Sequence, residues 1–403
     1  MRKILHCDLN NFFASVECLR NPKLKNVPMA VCGDPNTRHG IILAKNELAK
    51  KYGIYTPETV FSAKKKCRNL VLVRSHYEDY KKYSNLVNNI YLKYTDRVEK
   101  YSIDESSLDV TESTRLFGNE IEIAYKIKEE VKNTLGLTIS VGVSFNKSLA
   151  KLGSDLKKPD AVTVIPYENF REIIYPLPVE ELLYVGKKAK ETLNKMGIKT
   201  IGDLALSNKT RIIKHLGKLG AQIHDYANGI DFEQVKKYDD IKIAKSFSKG
   251  MTFKDDIFDM AKLEEKIRVL ASEISRSLRN NNLKCTVVSL SIKDEDFYVI
   301  NRQRKIPKTN IFKEIVDSLI DLLYINYKSE KGVRAITVSV SDLVSENSQE
   351  QINMFEILED DKKIENDKIE KASKVLDDIA TKYGNEKINF GSIINKEKYK
   401  KIK

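Results

Sequence analysis

The chain has no run of 18 or more apolar residues, which sets aside a membrane-spanning helix and predicts no membrane partner. Its five cysteines (Cys7, Cys18, Cys32, Cys67 and Cys285) form no C-x-x-C pair, and none stands near a histidine cluster. A zinc site is not expected, and the five read as reduced core thiols of a cytosolic protein. The opening stretch MRKILHCDLNN has no apolar core of the kind that directs secretion, so a cytoplasmic location is expected. No internal repeat of fixed period is present. What the chain does have is length and positive charge. At 403 residues it exceeds the usual single core and predicts two to four domains, with 41% apolar residues to fill them. A net charge of +13 points to a polyanionic partner, either nucleic acid or an acidic membrane surface. The excess is uneven: residues 11–77 hold 12 Lys/Arg against four Asp/Glu.

Hydrophobic periodicity orders the first half. KILHCDL is a short strand that runs into the helical NNFFASVECLRNP, which Pro22 closes. PMAVCGD and GIILAKN read as strands and ELAKKYG as a helix. An amphipathic helix is predicted from Tyr77 to Tyr94 and another near 119–134, followed by the strands TISVGVSF and AVTVIP. This β-α-β-β-α-β order suggests an antiparallel-rich sheet with helices on one face. After Pro166 come short helices broken by glycine, to about Ile230. A polar linker, DFEQVKKYDDIKIA, then leads to a second α/β segment with strands KSFSKGMTF, KCTVVSLSI and VRAITVSV and helices at 259–280 and 310–327. Near the end, Ile369, Ala372, Leu376, Ile379 and Tyr383 recur at the spacing of one helix face.

The stretch YSIDESSLDV carries Asp104, Glu105 and Asp109 between short apolar runs, and Asp8 ends the first strand. A solvated hairpin turn would explain the window alone. Brought together at a sheet edge, Asp8, Asp104 and Glu105 would repel one another unless a divalent cation neutralised them. Oxygen ligands with no His or Cys partner suit Mg²⁺ or Mn²⁺ rather than zinc. Two such ions would suit in-line phosphoryl transfer.

Four motifs in one order, HCDLNNFFASVE, YSIDESSLDVT, SVGVSFNKSLAKLGSDLKKP and LPVEELLYVGKKAKETLNKMGIKTIGDL, resemble the Y-family translesion DNA polymerases over about residues 1–345. The resemblance implies an α+β multidomain right hand: a ferredoxin-like palm at 1–10 and 78–165, fingers at 11–77, a helix-hairpin-helix thumb at 166–232, a linker at 233–243 and an α/β little finger at 244–342. A tail follows at 343–403. It also implies template-directed, low-fidelity addition of dNTPs to a primer across damaged DNA, without proofreading.

On that resemblance two Mg²⁺ ions would be held by Asp8, Asp104, Glu105 and the carbonyl of Leu9, while Asp109 matches no ligand position. Phe13 matches the ring that excludes a ribose hydroxyl. Phe12, beside it, reads better as a core residue but is grouped with Phe13 at the substrate. The family's fingers offer N-Y-x-A-R to the triphosphate, but this chain reads KNELAKKYG, with Glu47 for the Tyr and Lys50 for the Arg. That departure is closer to the polymerase V catalytic subunit, while palm and thumb also fit the DinB (polymerase IV) type. Lys158 matches the palm lysine that meets the triphosphate. Ile41 and Leu43 fall where smaller residues usually roof the nascent base pair, which is expected to narrow the lesions tolerated.

Backbone N–H groups at Gly186, Lys187 and Lys188 would face one DNA phosphate. Gly217 and Gly220 form a second glycine pair that reads better as a plain helical hairpin. Arg302, Arg304, Lys305 and Lys308 form a basic run placed between two elements of the little finger, for sequence-blind phosphate contact. QINMF, with Gln351, Met354 and Phe355, is similar to a sliding-clamp peptide, and 48 residues follow it. A monomer is expected. Two competing classes are another two-metal palm enzyme, such as a nucleotide cyclase, and a DNA-binding scaffold with a degenerate site. The thumb motif and Phe13 speak against the first, and the intact acids against the second.

Overall fold

Residues Ile4–Leu9 form β1, buried along its whole length because it is the middle strand of a five-stranded sheet. The computed structural model describes residues 1–33, 40–240, 244–328, 330–346 and 348, with 369, 372–373, 375–379 and 382–383 of the tail. It divides into two units, Met1–Ile241 and Lys242–Lys403.

In the first unit the chain leaves β1 through the helix Phe12–Arg20. It then builds a small sheet from β2 (Met29–Cys32), β3 (Ile42–Lys45) and β4 (Val71–Arg74), in the order β3-β2-β4. It returns through the helix Tyr77–Tyr91, three residues shorter than periodicity predicts. Next come β5 (Val98–Lys100), β6 (Glu105–Asp109), the helix Glu120–Leu135, β7 (Ile139–Ser144), the helix Lys147–Leu156 and β8 (Val162–Ile165). The large sheet has the order β5-β6-β1-β7-β8, antiparallel throughout except for the β7–β8 pair. The predicted β-α-β-β-α-β unit is therefore present as β1, helix, β5, β6, helix, β7.

Alternation along β1 sends Leu5, Cys7 and Leu9 into the main core. There they join Tyr80, Val87 and Tyr91 of one helix and Ile123, Ile127 and Val131 of the next. A capping box on Asn119 and Glu122 starts the second of these helices, and Gly136, at φ 66°, ends it. The other face of the sheet is not bare, as one-sided packing would leave it. The helix Lys147–Leu156 lies against it, where Ala150 meets Ile4. Gly142 makes this approach feasible, because a Cβ there would stand 1.9 Å from the Ala150 carbonyl oxygen.

Short helices follow: Lys187–Lys195, Ile201–Leu206 and Lys209–Ala227, the last broken at Gly217 by a left-handed φ of 61°. The polar linker expected next is not free over its first ten residues. Residues 231–240 strap back over the first unit instead. Arg2 donates to the carbonyls of Asp231 and Glu233. The Asp231 carboxylate accepts from the Ser148 N–H at a helix start, and Val235 is buried beside Ile4 and Ala150. Tyr238 N–H donates to the Asp96 carbonyl, 3.1 Å.

The second unit is a five-stranded antiparallel sheet. In it β9 (Ser246–Ile257), β10 (Leu283–Asp294), β11 (Val299–Thr309) and β12 (Val333–Ser341) are ordered β11-β10-β12-β9. The short β13 (Val344–Ser345) pairs with the start of β10, so the first residues of the expected tail belong to this sheet. The helices Met260–Asn280 and Phe312–Asn326 share its core, with Ile267, Ile274, Ile315 and Leu319 against Val288, Ile336 and Val338. The basic run 301–308 does not sit between elements; it is most of β11. As the edge strand, β11 tolerates Pro307 and a row of cations that would be excluded from a central strand.

The tail's described residues between 369 and 383 are helical, as their spacing predicts, and they carry Asp377 to a buried guanidinium. Arg279 grips that carboxylate through Nε (2.6 Å) and Nη2 (3.1 Å), and Arg276 adds a third contact at 3.0 Å. Asp377→Ala leaves Arg279 buried without its acid. It should lower the stability of this unit by about 3 kcal/mol, read from chemical denaturation. Arg279 also donates to Ser275 Oγ and the Asn310 carbonyl, so a loss under about 1 kcal/mol would mean these partners suffice.

Candidate active site

Because β1 and β6 run antiparallel with Asp8 opposite Glu105, both carboxylates project from the same face at the same end of the sheet. The pairing is continued by the Leu9 N–H, which donates to the Asp104 carbonyl at 3.0 Å and brings Asp104 alongside. Residues 8, 104 and 105, nearly a hundred apart in sequence, thus meet. Asp109 lies at the far end of β6, where its Oδ1 accepts from Thr111 N–H at 3.0 Å, a structural role.

Two steps down the same face is His6, fully enclosed. Its Nε2 lies 3.2 Å from Glu105 Oε2 and its Nδ1 3.1 Å from Ser107 Oγ. Burial disfavours a charged imidazole there and lowers its pKa. Across from the acids, the helix Lys147–Leu156 brings Lys151 Nζ to 3.2 Å from Asp8, 3.2 Å from Glu105 and 3.1 Å from Asp155. Lys158 Nζ reaches Asp8 at 2.6 Å and Asp155 at 2.7 Å. Sequence reasoning did not single out His6, Lys151 or Asp155.

The acids titrate as a coupled set. Burial pushes the Asp8 carboxyl up to about 6, against the pull of Lys158. Burial also opposes ionisation of Glu105, but the His6 hydrogen bond and the Lys151 charge outweigh it and hold that carboxyl at about 2. Lys151 is desolvated, yet Glu105, Asp155 and Asp8 raise its pKa and keep it an ammonium.

Among the described residues no three carboxylate, imidazole or thiol groups converge as a ready metal cage. The Asp104 carboxylate accepts from Ser102 Oγ at 2.6 Å, and the lysines occupy oxygens of Asp8 and Glu105. The donor set is nevertheless all hard oxygen, at a sheet end, with the negative charge a divalent cation requires. These residues fit such an ion.

The helix Phe12–Arg20 starts after Asn11 in a left-handed conformation, φ 48°. Phe12 is buried in the core, so of the two rings only Phe13 is placed to border a substrate. Phe13 stacks on Tyr80 with centroids 4.2 Å apart and planes 14° from parallel. Tyr80 is in turn fixed by its hydroxyl on the buried Glu17 carboxylate, which also meets His76 Nδ1 at 2.9 Å. Glu47 accepts from Asn11 Nδ2 at 2.9 Å and lies 4.0 Å from Lys50 Nζ. The acid and base that stand where the family has Tyr and Arg therefore face each other. Ile41 and Leu43 are both exposed, at 43% and 36%.

Gly186 caps the helix Lys187–Lys195 without any side-chain hydrogen bond, leaving the first-turn N–H groups directed outward. Gly220 serves packing instead, since a Cβ there would stand 2.8 Å from the Ile212 carbonyl oxygen. On β11, Arg302 donates to Asn326 at 3.1 Å and Arg304 pairs with Asp321 at 2.8 Å. Both lean onto the helix behind the sheet. Lys305, one step along, belongs to the opposite face. Lys308 donates to the Ser348 carbonyl at 2.9 Å. Gln351, Met354 and Phe355 lie outside the described residues.

Comparison with known proteins gives these positions a context. Residues 7–155 match the impB/mucB/samB family, and residues 244–354 match that family's C-terminal domain. A DNA polymerase IV from Acetivibrio thermocellus is 44% identical, covering 98% of both chains. One from Clostridium kluyveri is 39% identical over 98% of this chain and 99% of its own. Among solved structures, a Y-family DNA polymerase chimera superposes with a TM-score of 0.76 at 26% identity, covering 85% of this chain and 99% of the chimera.

Proposed function

The chain belongs to the DinB (polymerase IV) branch of the Y-family DNA polymerases, and we propose that Asp8, Asp104 and Glu105 are the acids on which its DNA synthesis depends. It is a DNA-directed DNA polymerase of the lesion-bypass type, with primer–template DNA and dNTPs as substrates. In its right-hand fold, residues 1–10 and 78–165 make the palm, 11–77 the fingers, 166–232 the thumb and 244–342 the little finger. The fingers' Glu47 and Lys50 are a local departure within the polymerase IV branch. The nucleotide-cyclase and scaffold alternatives are set aside.

The observation that carries the site assignment is the in-register pairing of Asp8 with Glu105, with Asp104 delivered beside them by the Leu9 hydrogen bond. Asp8, Asp104, Glu105 and the Leu9 carbonyl would hold two divalent cations, Mg²⁺ by preference. When bound, such ions lower the pKa of the primer 3′-hydroxyl and stabilise the departing pyrophosphate. The chain's own residues do the rest. His6 orients Glu105 from behind, and its neutral ring leaves the carboxylate charge available. Lys158, beside Asp8, and Lys50, in the fingers, supply positive charge to the triphosphate as point charges rather than as a bidentate fork. N–H groups at Gly186, Lys187 and Lys188 hold a backbone phosphate in the thumb. Lys305, on the open face of β11, adds sequence-blind attraction in the little finger, strongest at low salt, while Arg302 and Arg304 are held on the helix side by Asn326 and Asp321.

Primer extension opposite an abasic template site in Mg²⁺ tests the activity; no incorporation by the wild type, or full incorporation by Asp104→Ala, would overturn it. Phe13, backed by the rigid Tyr80 ring, is the sugar discriminator. Phe13→Ala should raise ribonucleotide incorporation at least about a hundredfold relative to dNTPs, since a clash in a packed site is worth a few kcal/mol. Unchanged sugar selectivity removes that role. Gln351–Phe355 is the sliding-clamp peptide, and the polymerase acts as a cytoplasmic monomer that is distributive unless clamp-bound. Deleting Gln351–Phe355 should abolish stimulation by the clamp and leave basal extension intact; surviving stimulation would locate the contact elsewhere.

A further inference from the structure

Among the described residues of the first unit Lys151 is the most heavily engaged cation, and no step of the proposed chemistry uses it. Its ammonium touches one oxygen each of Asp8, Glu105 and Asp155, at 3.1–3.2 Å. It is held there by fold, not by reach. It stands on the helix that Gly142 admits to the sheet face, with Asp155 one turn further along. Its side chain is only 15% exposed. Around it three carboxylates share two ammonium groups, Lys151 and Lys158, so the cluster stays one negative charge in excess.

We propose that Lys151 is a resident counter-ion of the acidic cluster, one that competes with divalent cations for Asp8 and Glu105 and so sets how tightly they bind. The proposal rests on Asp8 and Glu105 being cation ligands. An ammonium within 3.2 Å of Asp8 Oδ2 and Glu105 Oε1 satisfies the same lone pairs that a divalent ion would take. The two cannot be served fully at once. A divalent ion gains by binding more carboxylates at shorter range, and Lys151 then keeps Asp155, its partner four residues on, as a place to stay. The charge that holds the acids together before substrate arrives thus also limits cation affinity, making Lys151 a positioning residue rather than a catalytic one.

The sign of two substitutions tests this. Mn²⁺ binding to the full chain, without DNA or nucleotide, is measured by electron paramagnetic resonance of the free ion. Lys151→Met removes the competing charge at similar length and should tighten Mn²⁺ binding about tenfold. Lys151→Arg keeps the charge on a planar, weakly hydrated fork that grips carboxylates more firmly, and should weaken binding severalfold. A lysine that only braced the helix would weaken binding in both variants or move it in neither, and either result overturns the proposal. Where Lys151→Met does not fold, Lys151→Arg decides: unchanged or tighter binding refutes it. The ligand assignment fails separately, on a wild type that binds no Mn²⁺ or an Asp8→Asn variant that binds it as well as wild type.

Discussion

Asp8→Asn should fold at least as stably as the wild type and incorporate nucleotide at least about a thousandfold more slowly, a loss of about 4 kcal/mol of transition-state stabilisation. Both halves come from one observation. Asp8 is nearly fully enclosed, and burial lifts its pKa to about 6 despite two adjacent ammonium groups. A carboxyl whose folded pKa lies above its unfolded value of 3.8 contributes least when charged: stability declines as pH rises from about 4 through 6 and stays lower above that. An amide of the same shape removes that decline. Melting temperatures of the two proteins should converge near pH 4 and separate by pH 7, with the variant the higher. Single-turnover incorporation should collapse at every pH. A variant that is active, or one that melts well below the wild type at pH 7, would mean that Asp8 serves the fold rather than the chemistry.

Gly142→Ala is the second large effect, and it acts at a distance from any ligand. The added methyl would stand 1.9 Å from the Ala150 carbonyl oxygen and 2.4 Å from the Ser154 amide nitrogen. Both neighbours are backbone, so no rotamer can absorb the clash; the helix Lys147–Leu156 must lift off the sheet. A loss of about 3–5 kcal/mol is expected on chemical denaturation. The same displacement shifts Lys158, just beyond the helix end, from its place beside Asp8, so activity should fall by at least about a hundredfold even where the protein remains folded. Near-normal stability would show that the helix can shift at little cost.

Much of the site is legible in the sequence, for reasons that differ by residue. Asp8, Asp104 and Glu105 are legible through the motif resemblance, since the window YSIDESSLDV alone fits a solvated hairpin turn equally well. The sheet order then explains their meeting through the β1–β6 register. Glu47 and Lys50 are legible as departures, although only the structure shows them paired. Lys151 and Asp155 are not: a lysine and an aspartate four apart on a helix look like an ordinary solvated pair. What turns them inward is Gly142, on another element. β11 escapes sequence reading because an edge strand loaded with Arg and Lys has no apolar alternation to detect. The strap at 231–240 escapes it because one buried valine in a polar stretch has no period. Gly186 at its helix start is legible from its motif, while Gly220 needs Ile212 to reveal its purpose.

That strap also bears on how the protein is made. Arg2 and Ile4 are completed by partners at 231–235, about 230 positions later in the chain. On the ribosome, at about 5–20 residues per second, the first strand emerges and then waits on the order of 10–50 s for the segment that seals it. During that interval β1 has gained β6 and β7 but still shows Ile4 to water. The first unit is therefore finished only after its last residues have been synthesised, and a nascent chain arrested before residue 235 leaves Ile4 and Ala150 without the valine that covers them.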